Sequence, residues 1–430
     1  MRFVQLQDWL QWMEAQHPRQ IDLGLDRVSA VFQQMNLALT MPVITVAGTN
    51  GKGSCVALLS AILEAEGYRV GAYTSPHLLR YNERVRIDGE EVADAALVRA
   101  FDKVDRASGS LSLSFFEFGT LAALQLFSDA QLDVLILEVG LGGRLDAVNI
   151  VDADLALISS VDLDHEAWLG NDRETIAREK AGIARENTPL IFGDPRSSAA
   201  VVDIAQQLNA PLYARGSEFF FEEAADCWHW RGQRRDGSER LLRSLPLPPV
   251  MLDNAAAVLQ AVCLFELPVS ETAIREGLAQ VHIAARGEVL PLREHGLLLD
   301  VAHNPAALSR LAKQLADMPN GGKCTAVLAV MEDKKIAGSL RELSPYIDQW
   351  YLPELPGIAR AMAPAVLARH LLNEGVDSAA VHTVGDVASA LPAIRATLCD
   401  RDCLVVFGSF FTVSAVMQAM PATAFVETLH

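Results

Sequence analysis

The feature that most limits what this chain can fold into is a glycine-rich loop, Gly48-Thr49-Asn50-Gly51-Lys52-Gly53-Ser54. It follows the β-branched run Pro42-Val43-Ile44-Thr45-Val46-Ala47 and precedes a helical pattern, Val56-Ala57-Leu58-Leu59-Ser60-Ala61-Ile62-Leu63. A strand, a glycine turn and a helix in that order bring free backbone N–H groups and the positive end of a helix dipole to one point, a natural place for a nucleotide's phosphates. Lys52 is positioned to neutralise the β and γ phosphates, and the Ser54 hydroxyl to help hold Mg2+. The spacing, GxxGKGS, is two residues shorter before the lysine than the usual GxxxxGK[ST]. The bland alternative is a glycine turn with a surface lysine.

Further apolar runs at residues 70–73, 134–139, 155–159 and 190–192 read as buried strands, with helical segments between several of them. Such alternation implies an α/β fold with a mostly parallel sheet covered on both faces. After Arg286 the rhythm restarts, at 297–301, 325–330, 349–352 and 403–407. With 430 residues the chain exceeds what one hydrophobic core usually supports. We therefore expect a large P-loop domain over 1–285 and a smaller Rossmann-like α/β domain over 286–430. Between them, residues 218–243 are dense in charge and aromatics with alternating character, which predicts a peripheral hairpin rather than a site.

Composition excludes some classes. A formal charge of −18 disfavours nucleic acid as a partner, because phosphate backbones are bound by clustered Lys and Arg. No apolar run approaches the roughly 20 residues of a membrane helix, and residues 1–9 lack the pattern of a secretory signal. A cytoplasmic setting is expected. Six cysteines with no CxxC pair argue against a disulfide framework and a zinc site, leaving reduced thiols.

Several separated motifs carry a resemblance along nearly the whole chain: the glycine loop, Ile21-Asp22-Leu23-Gly24-Leu25-Asp26-Arg27, Ser75-Pro76-His77-Leu78, residues 138–146, Glu179-Lys180-Ala181-Gly182-Ile183, and Asp300-Val301-Ala302-His303-Asn304-Pro305. The short loop resembles the Mur-ligase superfamily. Its spelling resembles the folylpolyglutamate and dihydrofolate synthases within it, and residues 114–117 and 145–149 look most like the bifunctional bacterial members. The resemblance implies an ATP-dependent ligase that adds L-glutamate to dihydropteroate or to a folate tail. The acid first attacks the γ-phosphorus, because a carboxylate is a poor electrophile, and the glutamate amine then displaces phosphate.

Residue roles follow from the same resemblance. Two Mg2+ ions are assigned to Ser54, Ser75, Glu138 and His165, although an imidazole is an unusual partner for Mg2+. The lysine matching Lys180 is carbamylated in this family, which turns a cation into an oxygen ligand. Lys52, Lys180, His165 and His303 are the catalytic candidates. Gly48 to Ser54, Asn254, Arg286, Asp300 and His303 match nucleotide-holding positions on both sides of a domain junction that closes. Ser114, Phe116 and Asp146 match the pteridine site, and His303 and Ser409 are assigned to glutamate. The family's arrangement needs no partner subunit, so a monomer is expected.

Taken singly, these residues keep plainer readings. Lys180 reads as a solvated lysine in a helix over 173–184, Asn254 as a helix cap, Asp300 as a strand-end turn and Phe116 as core. The chain also departs from the family. Ala284-Ala285-Arg286 stands where Pro-Gly-Arg is usual, and alanine at a position needing φ > 0 costs roughly 1 kcal/mol. Phe411 stands where a histidine often occurs, and Ala167 replaces a polar residue. A paralogue acting on a different acid and amine, and a non-catalytic nucleotide-binding protein, are the competing functions.

Overall fold

Every residue of Val43–Ala47 (β1) is buried, as its run of branched apolar side chains requires of a strand covered on both faces. The structure, a computed structural model, describes residues 1–19, 21–292, 295–318, 322–334, 336–399 and 401–420. The chain divides into two units, Met1–His282 and Ile283–His430.

In the first unit β1 is joined by Val70–Tyr73 (β2), Val85–Ile87 (β3), Glu90–Glu91 (β4), Val134–Glu138 (β5), Leu155–Ile158 (β6), Leu190–Phe192 (β7) and Leu212–Ala214 (β8). They form one sheet in the order β4-β3-β2-β5-β1-β6-β7-β8. From β2 to β8 all neighbours are parallel, and only β3 and β4 run antiparallel at one edge. The C-terminal ends of β2, β5, β1 and β6 therefore lie side by side. Helix Lys52–Ala65 leaves the glycine loop and buries Cys55, Val56, Leu58, Leu59, Ile62 and Leu63. Helix Arg173–Ala181 ends before Gly182, three residues short of the expected 184.

Residues 218–243 differ from expectation. They contribute to a three-stranded antiparallel sheet of Phe220–Glu223 (β9), Trp228–Gln233 (β10) and Glu239–Leu245 (β11), not a hairpin. The alternation is real, but it points Trp228 and Trp230 inward, at 0% and 1% exposure. Trp230 Nε1 donates to the Ala256 carbonyl at 3.1 Å, and Gln260 Nε2 donates to the Gln233 carbonyl at 2.7 Å. Both partners lie on helix Leu252–Leu264. The small sheet thus braces the helix that carries Asn254.

The second unit has a six-stranded sheet, Arg286–Leu292 (β12), His295–Asp300 (β13), Cys324–Leu328 (β14), Gln349–Glu354 (β15), Val381–Asp386 (β16) and Cys403–Phe407 (β17), in the order β12-β13-β17-β14-β15-β16. Only β12 is antiparallel to its neighbour. Leu298, Leu328, Trp350, Val405 and Phe407 anchor its core. Four of these strands match the sequence pattern. β12 and β16 sit at the two edges, and β16 keeps every residue at least partly exposed, so it lacks the apolar run that marks a central strand. Among the described residues no helix is long and apolar enough to cross a membrane.

Trp230→Ala removes a fully buried ring and its indole hydrogen bond. Urea unfolding followed by fluorescence should show a loss of about 3–5 kcal/mol, whereas an exposed hairpin would lose almost nothing.

Candidate active site

The glycine loop leaves β1 and is tied along its length to the end of neighbouring β6. Thr49 N donates to the Ser160 carbonyl at 2.8 Å, and Asn50 N donates to Ser160 Oγ at 3.0 Å. The hydroxyls of Ser159 and Ser160 donate to the Asn50 carbonyl at 2.6 and 3.0 Å. Thr49 Oγ1 accepts from Asp162 N at 2.9 Å. Gly51 then turns with φ 85° to begin the helix, and a Cβ there would lie 2.4 Å from Asn254 Oδ1. Both the turn and the close approach demand glycine. Lys52 Nζ donates back to the Gly48 carbonyl at 3.0 Å, which keeps its charge at the mouth of the loop. Ser54 is 7% exposed in the first helical turn.

Ser159 and Ser160 were not singled out from sequence. The available signal was a pair of hydroxyls ending an apolar strand, at the same sheet edge as the loop.

One strand to the other side, Glu138 ends β5 with its carboxylate buried, and its Oε2 accepts from Ser75 N at 3.1 Å, just beyond β2. Glu138, Ser75 and the loop thus share one sheet edge. Among the described residues no three His, Cys, Asp or Glu side chains gather as a metal cage. One buried carboxylate with nearby serine hydroxyls instead fits a hard cation that takes most of its oxygens from phosphate and water, as Mg2+ does. His165, at φ 52°, opens the short helix Glu166–Leu169, and its backbone N donates to Asp164 Oδ1 at 2.8 Å.

Lys180 is not a solvated lysine: it is 3% exposed. Burial lowers its pKa to about 7, the charge of Lys52 adds to this, and Asp164 and Asp146 oppose it. Its backbone is gripped by the loop after β5, where a Cβ on Gly143 would meet the Glu179 and Lys180 carbonyls at 2.7 and 2.8 Å. Asp146, 2% exposed, is pushed the other way, to about 7, by burial. It accepts from Leu141 N at 2.8 Å and Val148 N at 3.1 Å, and Lys52 also draws its pKa down. Lys52, Asp146, Asp164 and Lys180 therefore form one electrostatic neighbourhood.

Ser114 caps helix Phe115–Asp129, accepting from Glu117 N at 3.3 Å while Glu117 returns a bond to Ser114 N at 2.7 Å. That reciprocal cap fixes the first turn, from which Phe116 reaches the Tyr73 ring at 6.0 Å between centroids. Phe116 is only partly buried, so it is not simply core. Asn254 is the third residue of its helix, whose cap position is Met251, so it is not the cap.

Arg286, Asp300, His303 and Ser409 belong to the second unit and come together at one edge of its sheet. Arg286 and Asp300 are register partners on β12 and β13, and the Arg286 guanidinium lies 5.7 Å from the Phe410 ring. Asp300 is fully buried, with Arg310 at 3.1 Å and Ala302 N at 2.7 Å. The strand-end turn is thus real and is combined with a buried ion pair. His303 Nδ1 lies 2.7 Å from the Val301 carbonyl. Ser409 caps helix Phe410–Ala419, its Oγ accepting from Thr412 N at 3.1 Å. Ala285 has φ 56° and is fully buried, so the position does require positive φ.

The glutamate ligase domain of the Mur ligases matches residues 285–410. The chain is 44% identical to the dihydrofolate synthase/folylpolyglutamate synthase of Escherichia coli strain K12, over 97% of this chain and 96% of that protein. It is 32% identical to the folylpolyglutamate synthase of Lacticaseibacillus casei, over 88% and 89%. Among solved structures, E. coli FolC in complex with DHPP and ADP superimposes with a TM-score of 0.90 at 44% identity, covering 96% of this chain and 97% of that one. A bifunctional folylpolyglutamate synthase/dihydrofolate synthase with Mn, AMPPNP and L-glutamate bound gives 0.89 at 44% identity, over 97% and 98%. Near-complete coverage at this identity, on a matching two-unit fold, means that the chain belongs to the dihydrofolate synthase/folylpolyglutamate synthase family.

Proposed function

We propose that this chain joins the carboxylate of dihydropteroate, and the terminal carboxylate of folates, to the amine of L-glutamate with cleavage of ATP. One observation carries the reading: the short glycine loop, the Ser75–Glu138 pair and buried Lys180 all border the edge formed by β2, β5, β1 and β6. The names of the relatives and the ligands of their structures support it.

In this mechanism the N-terminal turn of helix Lys52–Ala65, to which the loop leads, and the Lys52 ammonium bind the phosphates and draw charge from the γ-phosphorus. The acid attacks there, expels ADP and becomes an acyl phosphate; the amine of glutamate then attacks the acyl carbon, gives up a proton to solvent and expels phosphate. Ser54, Ser75, Glu138, His165 and Lys180 are the residues we assign to two Mg2+ ions, which when bound stabilise negative charge on phosphate oxygens. The partly buried face of Phe116 takes the flat heterocycle. Asp146, titrating near neutrality, accepts or donates a hydrogen bond at its polar edge. Asn254 supports the nucleotide from the base of the loop.

We further assign the P-loop to residues 1–285 and glutamate handling to residues 286–430, with His303 and Ser409 as the glutamate contacts, and keep Arg286, Asp300 and His303, with Asn254, as nucleotide-binding residues. The match of a glutamate ligase domain to residues 285–410 supports this division. The cytoplasm, where ATP, folates and L-glutamate are available, is the proposed setting.

Lys180 acts here as a carbamate. Carbamylation needs a neutral amine, and a pKa near 7 supplies one where an ordinary lysine stays charged. The added carboxylate converts a group that repels cations into an oxygen ligand.

The reading is tested by coupled ADP release with dihydropteroate and L-glutamate, beside a panel of other acids and amino acids. Turnover on the folate pair is expected; turnover only on another pair, or nucleotide binding with no amide product, would overturn it. Lys52→Ala should lower kcat/KM by about 10³-fold with an unchanged urea midpoint, since its charge acts on phosphate and not on a core. With 13C-bicarbonate, a carbamate resonance should appear in the wild type, grow as pH rises through about 7, and vanish in Lys180→Arg. A free amine at pH 8 under saturating bicarbonate would refute it.

A further inference from the structure

All six cysteines are free thiols, but the fold brings two of them face to face. Cys324 opens β14, Cys403 opens β17, and the two are register partners in that parallel pair. Register partners on adjacent parallel strands project to the same face. Neighbouring strands lie about 4.8 Å apart, inside the roughly 4.4–6.8 Å between Cα atoms that a disulfide spans. Both side chains are half-buried against the core of the second unit.

The surroundings hold the pair in place and leave one flank open. Asp348 Oδ2 accepts from Cys324 N at 2.8 Å. The Asp402 carboxylate takes the N–H groups of Lys323 and Cys399, both at 2.7 Å, pinning the starts of both strands. On the far side of Cys403 the register partner is Gly296 of β13. A Cβ there would come 3.7 Å from Cys403 Sγ, so this neighbour, being glycine, puts no side chain against that thiol. Interaction with Cys403 is the first cause that raises the Cys324 pKa, and the same interaction lowers that of Cys403. Cys403 is accordingly the better thiolate.

We propose that Cys324 and Cys403 are a reversible modification site, forming a cross-strand disulfide by exchange with a small-molecule disulfide such as oxidised glutathione. The Cys403 thiolate attacks one sulfur of the oxidant, forms a mixed disulfide and expels one small thiolate. Cys324 then gives its proton to solvent, and its sulfur attacks the Cys403 sulfur and releases the second small thiol. Two protein thiols are oxidised and one small disulfide is reduced to two thiols. The new bond joins β14 to β17 at their N-terminal ends, opposite the edge that carries Asp300 and Ser409, and closes a loop of roughly 80 residues. Excess small thiol runs both steps backwards.

The test uses the full chain, reduced, exchanged into excess oxidised glutathione at pH 8, then acid-quenched, denatured, alkylated and mapped by mass spectrometry. The expected product is a Cys324–Cys403 crosslinked peptide pair, lighter by two hydrogens and reversed by dithiothreitol. It should form at least about 10-fold faster in the folded chain than in urea, because the fold has already brought the loop ends together. Cys399→Ser should retain the crosslink and Cys403→Ser should lose it; if the latter misfolds, the wild-type map decides alone. Glutathione adducts elsewhere with Cys324 and Cys403 still alkylated, or equal rates in urea, would overturn the proposal.

Discussion

The site depends on the anchoring of the loop after β1 to the end of β6. A phosphate-binding turn is useful only if the helix start to which it leads is held in place, and a glycine-rich segment by itself is entropically the least able to stay anywhere. Here the hydroxyls of Ser159 and Ser160, the Ser160 carbonyl and Asp162 N account for the polar groups of Thr49 and Asn50. What holds the loop is the neighbouring strand rather than the loop sequence. The parallel β1–β6 pairing from Ile44 to Ala47 sets the position of those serines, so core packing of the sheet fixes the geometry at its edge.

Beyond the loop, burial does the chemical tuning. Lys180 and Asp146 are two ionisable groups that a protein interior penalises, and each is moved toward neutrality. In neither case does a single ion pair dominate the shift: desolvation is the leading cause, and the nearby charges modify it. An amine that loses its proton near pH 7 can accept CO2, and a carboxyl that titrates there can present either a donor or an acceptor. The surroundings that make these groups costly are also what makes them chemically adaptable.

Much of this was legible in the sequence, for identifiable reasons. The central strands are short apolar runs between helical patterns, and β1, β2, β5, β6 and β7 fall where those runs lie. The glycine loop announced itself by composition and position. What escaped lacked such a signature. β16 is an edge strand with no fully buried residue, and β9 to β11 form an extra sheet in which Trp230 is inside because the following helix, Leu252–Leu264, packs on it. Burial of Lys180 depends on the approach of the segment after β5, a contact between residues over thirty positions apart that no local pattern around the lysine encodes. Ser114 and Ser409 stood out as ligand candidates, and the structure shows both hydroxyls already serving as helix caps.

Residue 285 illustrates how a departure from a family pattern can persist. Its left-handed backbone costs an alanine about 1–2 kcal/mol relative to glycine. Against this, its methyl group is fully buried, worth about 0.8 kcal/mol, and alanine stiffens the unfolded chain by a further 0.4–1 kcal/mol or so. The opposing contributions nearly cancel. A left-handed alanine can therefore stand at this turn at little net cost in stability, so the loop before β12 need not change its path to accommodate it.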